Sequence, residues 1–316
     1  MKTGGYAMGE VSQETRVYPA SDAPRFPTES SRLSAVCAGL ALAMLWASQA
    51  FSQTPGREQR KERRQTATES YPKLSLQLQN PLARVLVLPT VFEFAQGGGP
   101  MDNGESFRVG FEPRIPFSLN ENWHLISLSR VAWVTQENIV EGRQEGLSDF
   151  TQTFFFSPDR SLGAGLYWGL GPTFVFPTAS PDLLGARQFS VGPSVGIFMQ
   201  RKPWTAGFIF NHVWSVAGTK TAPAVNVTTL QPLVAYTAPT STTFLLQSRV
   251  NYIWQAEEWV VPVEVGIRQL TLIAGRPVQW GVGLSYFADS AVNTPEWGAT
   301  FRLSFALKSP RQAAQP

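Results

Sequence analysis

Few side chains in this sequence could carry chemistry, and their spacing excludes most of it. Gly192 to Gly196 reads G-P-S-V-G, a match to the G-x-S-x-G turn that lifts a nucleophilic serine between a strand and a helix. No helical pattern follows Ser194, so small residues on the inner face of a strand explain the stretch better. There are two histidines. His212, with Asn211 beside it, falls on the apolar face of an alternating run, whereas His124 borders a short turn and is expected in solvent. With one cysteine, Cys37, and no acidic cluster at ligand spacing, neither a zinc nor a calcium site is expected, and no cofactor is implied. Gly163, Gly165, Gly169 and Gly171 alternate with no helix after them, which rules out a phosphate loop. Their effect is to open space around Tyr167.

What remains is a set of charged residues embedded in apolar alternation: Arg108, Glu112, Arg114, Arg130, Asp149, Arg249, Glu264, Arg268 and Arg302. The run from Trp259 shows how they are placed. Trp259, Val261, Val263, Val265 and Ile267 alternate with Val260, Pro262, Glu264, Gly266 and Arg268. A strand with one greasy face and one charged face suits a membrane barrel whose apolar side meets lipid and whose polar side lines the lumen. The nine charged residues are therefore candidate lumen residues, with arginine in excess. They support either a polar path biased towards anions or buried ion pairs that hold a plugged barrel shut.

The elements that must position them recur at about ten residues each: 82–95, 105–117, 123–135, 148–157, 162–175, 189–200, 204–215, 227–237, 241–254, 259–272, 277–288 and 295–307. Twelve is even, as an up-and-down antiparallel β-barrel with both ends on one side of the membrane requires. The connections alternate between long, such as Q-G-G-G-P-M-D-N-G, and short, such as S-L-N-E-N, the habit of barrels with long external loops and short periplasmic turns. Trp204 and Trp214, and again Trp123 and Trp133, stand ten residues apart on one face. Together with Trp254 and Trp259 they are candidates for the interfacial aromatic girdles. A soluble β-sandwich also alternates, but it does not account for tryptophans paired at strand ends. Pro89, Pro113, Pro193, Pro232 and Pro262 fall inside the strands, and in a closed barrel each must sit at a bulge or give up a ladder bond.

The composition agrees: aromatic residues make up 12% of the chain, with 26 glycines and 24 prolines, and the formal charge of +3 gives no reason to expect nucleic acid. Arg32 followed by the uncharged run Leu33–Ala47 has the form of a secretory signal, with cleavage expected after Ala50 or Ser52. Cys37 lies inside it. The expected organisation is an extension plus signal peptide over 1–52, a polar basic periplasmic segment over 53–81, the barrel over 82–308 and a tail over 309–316. The basic segment is expected as a solvated linker, with a segment that touches anionic lipid or folds back into the lumen as the alternative. In a bacterial envelope the N-V-T at Asn226 has little meaning as a glycosylation acceptor.

Stretches including R-I-P-F-S-L-N-E-N-W-H-L-I-S-L-S-R-V, G-L-S-D-F-T-Q-T-F-F-F-S-P-D-R-S, W-G-L-G-P-T-F-V-F-P-T-A-S and P-E-W-G-A-T-F-R-L-S-F, in order from about Asn80 to Lys308, resemble a family of outer-membrane transporters. The family carries the domain name for the meta-pathway of phenol degradation and is often mislabelled neuromedin U-like. The resemblance implies an outer-membrane barrel that moves small molecules, aromatic solutes among them; the anionic bias comes from the arginines alone. It supplies no substrate-binding residues. The partners expected are outer-membrane lipids, a small solute and the barrel assembly machinery. The alternatives are a plugged structural barrel without transport, or an outer-wall hydrolase built like outer-membrane phospholipase A, which would use His212.

Overall fold

The structure, a computed structural model, describes residues 71–307 apart from 100, 140–141, 164 and 289–293. The expected signal peptide and the expected C-terminal tail lie outside the described residues.

Twelve antiparallel spans form a closed barrel. They are β1 (Leu86–Gln96), β2 (Glu105–Phe111 with Arg114–Ser118), β3 (Trp123–Glu137), β4 (Gln144–Leu147 with Phe150–Pro158), β5 (Leu166–Phe176) and β6 (Gln188–Arg201). The second half is β7 (Trp204–Gly218), β8 (Asn226–Thr237), β9 (Thr242–Ser248 with Val250–Ile253), β10 (Glu258–Val260 with Pro262–Ile273), β11 (Arg276–Phe287) and β12 (Trp297–Leu307). Each pairs with its neighbours in sequence, and β12 returns to β1 with Leu86 opposite Leu307 and Gln96 opposite Trp297. Closure leaves no free edge, so every span's backbone groups find partners within the wall.

Four spans are interrupted, and the prolines explain most of it. The β1–β2 ladder holds Thr90 opposite Phe111 and Val87 opposite Arg114, so Pro89 faces the gap at Glu112 and Pro113. Pro232 similarly faces the break at Arg249, between the pairs Leu233–Gln247 and Leu230–Val250. Pro262 borders the same break from the other side, between Ser248–Val263 and Asn251–Val260. The missing N–H donors are thus gathered where the ladder is already open. Pro193 stands opposite Pro172, and its other side falls where the β6–β7 ladder skips from Val191–Trp214 to Ser194–Asn211.

The segment before β1 departs from the sequence expectation. Residues 71–78 are helical and the chain then turns back over 79–85. The helix places Leu74 and Leu78 one turn apart on one side. It ends where Pro81 cannot continue it, and the Asn80 side chain accepts the Leu82 N–H at 2.9 Å to form the turn. Leu78 and Ala83 pack with Val85, Val87, Leu270 and Ala306. Leu82 packs on the opposite arc with Ile126, Phe155, Phe198, Ile209 and Leu245. Residues 71–83 are therefore a tip inserted into the short-turn half of the lumen, where a solvated segment was expected, and Leu82 belongs to this tip instead of opening the first strand. Burial decides this, because fully burying one leucine contributes about 1.5–3 kcal/mol. Leu162, expected to open the fifth strand, lies in the turn that precedes Leu166.

Candidate functional site

Inward positions above the tip enclose a cavity of about 500 Å³ whose lining includes six arginines, Arg108, Arg114, Arg130, Arg249, Arg268 and Arg302. Three glutamates share it: Glu93, Glu112 and Glu264. Glu112, at the break in β2, bridges two guanidiniums, Arg130 Nε at 2.9 Å and Arg302 Nη1 at 3.2 Å. Arg108 Nε lies 3.6 Å from Glu93. Arg114, Arg249 and Arg268 have no carboxylate within ion-pair distance among the described residues.

Two of these three are held by neutral oxygens. Arg114 is 7% exposed; its Nη1 donates to the Asn80 carbonyl at 2.8 Å and its Nε to the Val85 carbonyl at 3.4 Å. Its Nη2 is buried without a hydrogen-bond partner. Arg268 Nη1 donates to Gln79 Oε1 at 3.0 Å and Nη2 to Gln247 Oε1 at 3.2 Å. Gln79 and Asn80 at the apex of the tip thus occupy donors that line the cavity. Sequence reasoning missed both, along with Glu93. Alternation of Glu93 with Phe92 and Phe94 was the available signal for the last, and the Asn-Pro pair that marks a turn was the signal for the tip.

Eight of the nine candidate lumen residues meet at this cavity. Asp149 does not. At the break in β4 its carboxylate accepts the Ala179 N–H at 3.0 Å and the Ala186 N–H at 2.8 Å, which ties down the 176–188 loop at the long-loop end.

His124 is also placed differently from the expectation. It is 2% exposed, with Nδ1 2.8 Å from Asp159 and Nε2 3.4 Å from the Leu82 carbonyl. Asp159 also takes Arg84 Nη1 at 2.8 Å, and Arg84 Nη2 donates to Ser118. The chain leaving the tip is clasped to the wall by this network, which gives both ring nitrogens of the buried histidine a partner.

The remaining candidates have structural partners. Ser194 is buried in mid-strand and joins Thr173 and Thr153 in a row of inward hydroxyls across β4, β5 and β6. His212 faces outward with Nδ1 2.8 Å from Thr228 Oγ1, and Trp254 Nε1 donates to the same oxygen. Its ring lies 5.6 Å from that of Trp214.

The outer surface carries a continuous apolar band, with Phe107, Phe210, Leu246, Val265, Leu284 and Phe301 among its exposed residues. Trp123 and Trp204 lie at its short-turn rim, where they make edge contacts with Trp168 and Tyr236. Trp214, Trp254 and Trp259 lie at the long-loop rim, the last two packed around Tyr252, one edge-on and one tilted. Trp133 shares the outward face with Val109 and Leu147. Ten residues along a strand tilted by about 45° rise roughly 25 Å, the height of an outer-membrane barrel's apolar band.

The wall, the girdles and the closure decide the architecture. The fold is that of an outer-membrane barrel. It is similar to the crystal structure of an outer membrane channel from Pseudomonas putida F1, at TM-score 0.56 and 12% identity, covering 71% of this chain and 95% of that one. The NanC porin aligns over 71% of this chain and 99% of its own, at 12% identity and TM-score 0.45. Outer membrane phospholipase A from Escherichia coli aligns over 70% of this chain and 92% of its own, at 10% identity and TM-score 0.39. The latter two scores are too low to carry an argument. No family model and no curated protein matches the chain.

Proposed function

We propose that this chain is a channel of the bacterial outer membrane that passes small anionic solutes and performs no covalent chemistry. The observation that carries the reading is the charge of the cavity, with six arginines against three glutamates. A narrow lumen with a surplus of one sign in low-dielectric surroundings concentrates ions of the opposite sign. The likeness to a barrel described as an outer membrane channel supports the same reading. His212 serves the interface, because its hydrogen bond goes to a threonine shared with a girdle tryptophan, which speaks against a hydrolase on the outer wall. Lipids, the assembly machinery and the solute are the partners this implies. The test is conductance in planar bilayers, with selectivity read from the reversal potential in a salt gradient.

A second reading, a plugged barrel without transport, is favoured by one observation: the tip of residues 71–83 forms a packed core with the wall. A reconstituted barrel that stays silent in bilayers, even after the tip is loosened, would establish it.

A further inference from the structure

We propose that Arg114 and Arg268 form a carboxylate-binding site that the inserted tip occupies with neutral oxygens, so that an anionic solute and the tip compete for the same guanidiniums. This rests on the anion-channel reading and adds to it a ligand class and a means of opening.

Five of the six lumen arginines fall into two groups. Arg130 and Arg302 share the carboxylate of Glu112, and Arg108 stands near Glu93. These are committed to the wall. Arg114 and Arg268 are satisfied only in part, by the Asn80 carbonyl, the Val85 carbonyl and the side-chain oxygens of Gln79 and Gln247. Gln79 and Asn80 are consecutive, so the two guanidiniums converge on one apex. A carboxylate matches the planar fork of a guanidinium with two parallel bonds, each stronger than a bond to a neutral amide oxygen. It would also bring negative charge to a lining with surplus arginine, and it offers an acceptor for the orphaned Nη2 of Arg114.

Displacing the apex has a mechanical consequence. Gln79 and Asn80 sit between Leu78 and Leu82, which anchor the tip on opposite arcs of the wall. Losing both polar contacts leaves the apex held by the apolar packing of Leu78 and Leu82 and by the His124 contact to the Leu82 carbonyl, with Ser75 and Gln200 fastening the helix below it. A solute that binds the vacated arginines better than the occupied ones shifts the population towards the unseated tip, by no more than that difference in affinity.

The test uses thiol accessibility. In a Cys37→Ser background, Ala83→Cys places a thiol at a tip position that is buried while the tip is seated. The full chain is reconstituted in liposomes and treated with N-ethylmaleimide, with either succinate or potassium chloride at matched ionic strength. The expected result is labelling about tenfold faster in succinate, which corresponds to a differential affinity of about 1.4 kcal/mol, and loss of that acceleration in Arg268→Gln. Equal rates in the two salts overturn the proposal, and so does an acceleration that survives Arg268→Gln. If Ala83→Cys does not assemble, Ser75→Cys, a near-isosteric change at a buried position of the same tip, reports on the same motion. Bilayer conductance separates this outcome from the channel reading. Anion currents with salt-independent labelling would sink the competition and leave the channel, whereas succinate-dependent labelling without currents would keep the site and remove the channel.

Discussion

Leu82 sits over Gly169, where a Cβ would stand 3.3 Å from the leucine's Cδ2. Gly196, paired with Gly169 across β5 and β6, would bring its own Cβ to 3.4 Å. The two missing side chains make the seat in the wall that receives the tip. Leu82→Ala should therefore destabilise the seated tip by about 2–5 kcal/mol, the usual cost of a large-to-small change in a packed core. In bilayers this is expected to appear as longer or more frequent open events than in the parent protein. Unchanged gating would mean that the tip does not control the path.

Glu112 holds two arginines at once. Glu112→Gln leaves both without a carboxylate, so selectivity and stability should move in opposite directions. The anion-to-cation permeability ratio is expected to rise while refolding stability falls by about 3 kcal/mol, because removing one partner of a buried pair strands the others. Reversal potentials and urea titrations in detergent check the two halves separately.

The two faces of β10 can be distinguished by paired substitutions. Val265 is 57% exposed on the lipid band, and arginine near the bilayer midplane costs about 2–4 kcal/mol in such barrels. Gly266 faces inward, but a Cβ there would lie 3.0 Å from the Val282 carbonyl, which makes it a crowded control. Ser285, in the cavity lining and opposite Glu264, is the better one. Val265→Arg should impair assembly much more than Ser285→Arg. The reverse order would exchange inside and outside on this wall.

Asp149 anchors the 176–188 loop through two backbone N–H groups. Asp149→Asn keeps the shape but removes the charge and one acceptor, so that loop should become sensitive to added protease while the barrel keeps its heat-modifiable migration. Cleavage at the parent rate would show that the loop is held by other contacts.

Much of the wall was legible in the sequence because a barrel strand obeys one rule along its whole length. Trp204, Phe208, Phe210 and Trp214 face lipid as the period of two requires, and the prolines fall at interruptions for the reason that made them awkward. The cavity followed from the same rule, since Arg108, Arg268 and Arg302 are simply the odd members of apolar runs. The tip was hidden. Leu74, Leu76 and Leu78 alternate like a strand, the helix they belong to is short, and its burial depends on glycines a hundred residues away. Asp149 and His124 were misjudged for a related reason. Their partners, the N–H groups of Ala179 and Ala186 in one case and the Asp159 carboxylate in the other, come together only when neighbouring strands pair in register.

The central claim is that an arginine-lined lumen carries anions, and the most direct test is the reversal potential of the purified barrel in a planar bilayer under a potassium chloride gradient. The expected result is discrete currents whose reversal potential lies on the chloride side of zero and moves towards zero in Arg268→Gln. A silent barrel, or currents that reverse on the potassium side, would contradict the claim.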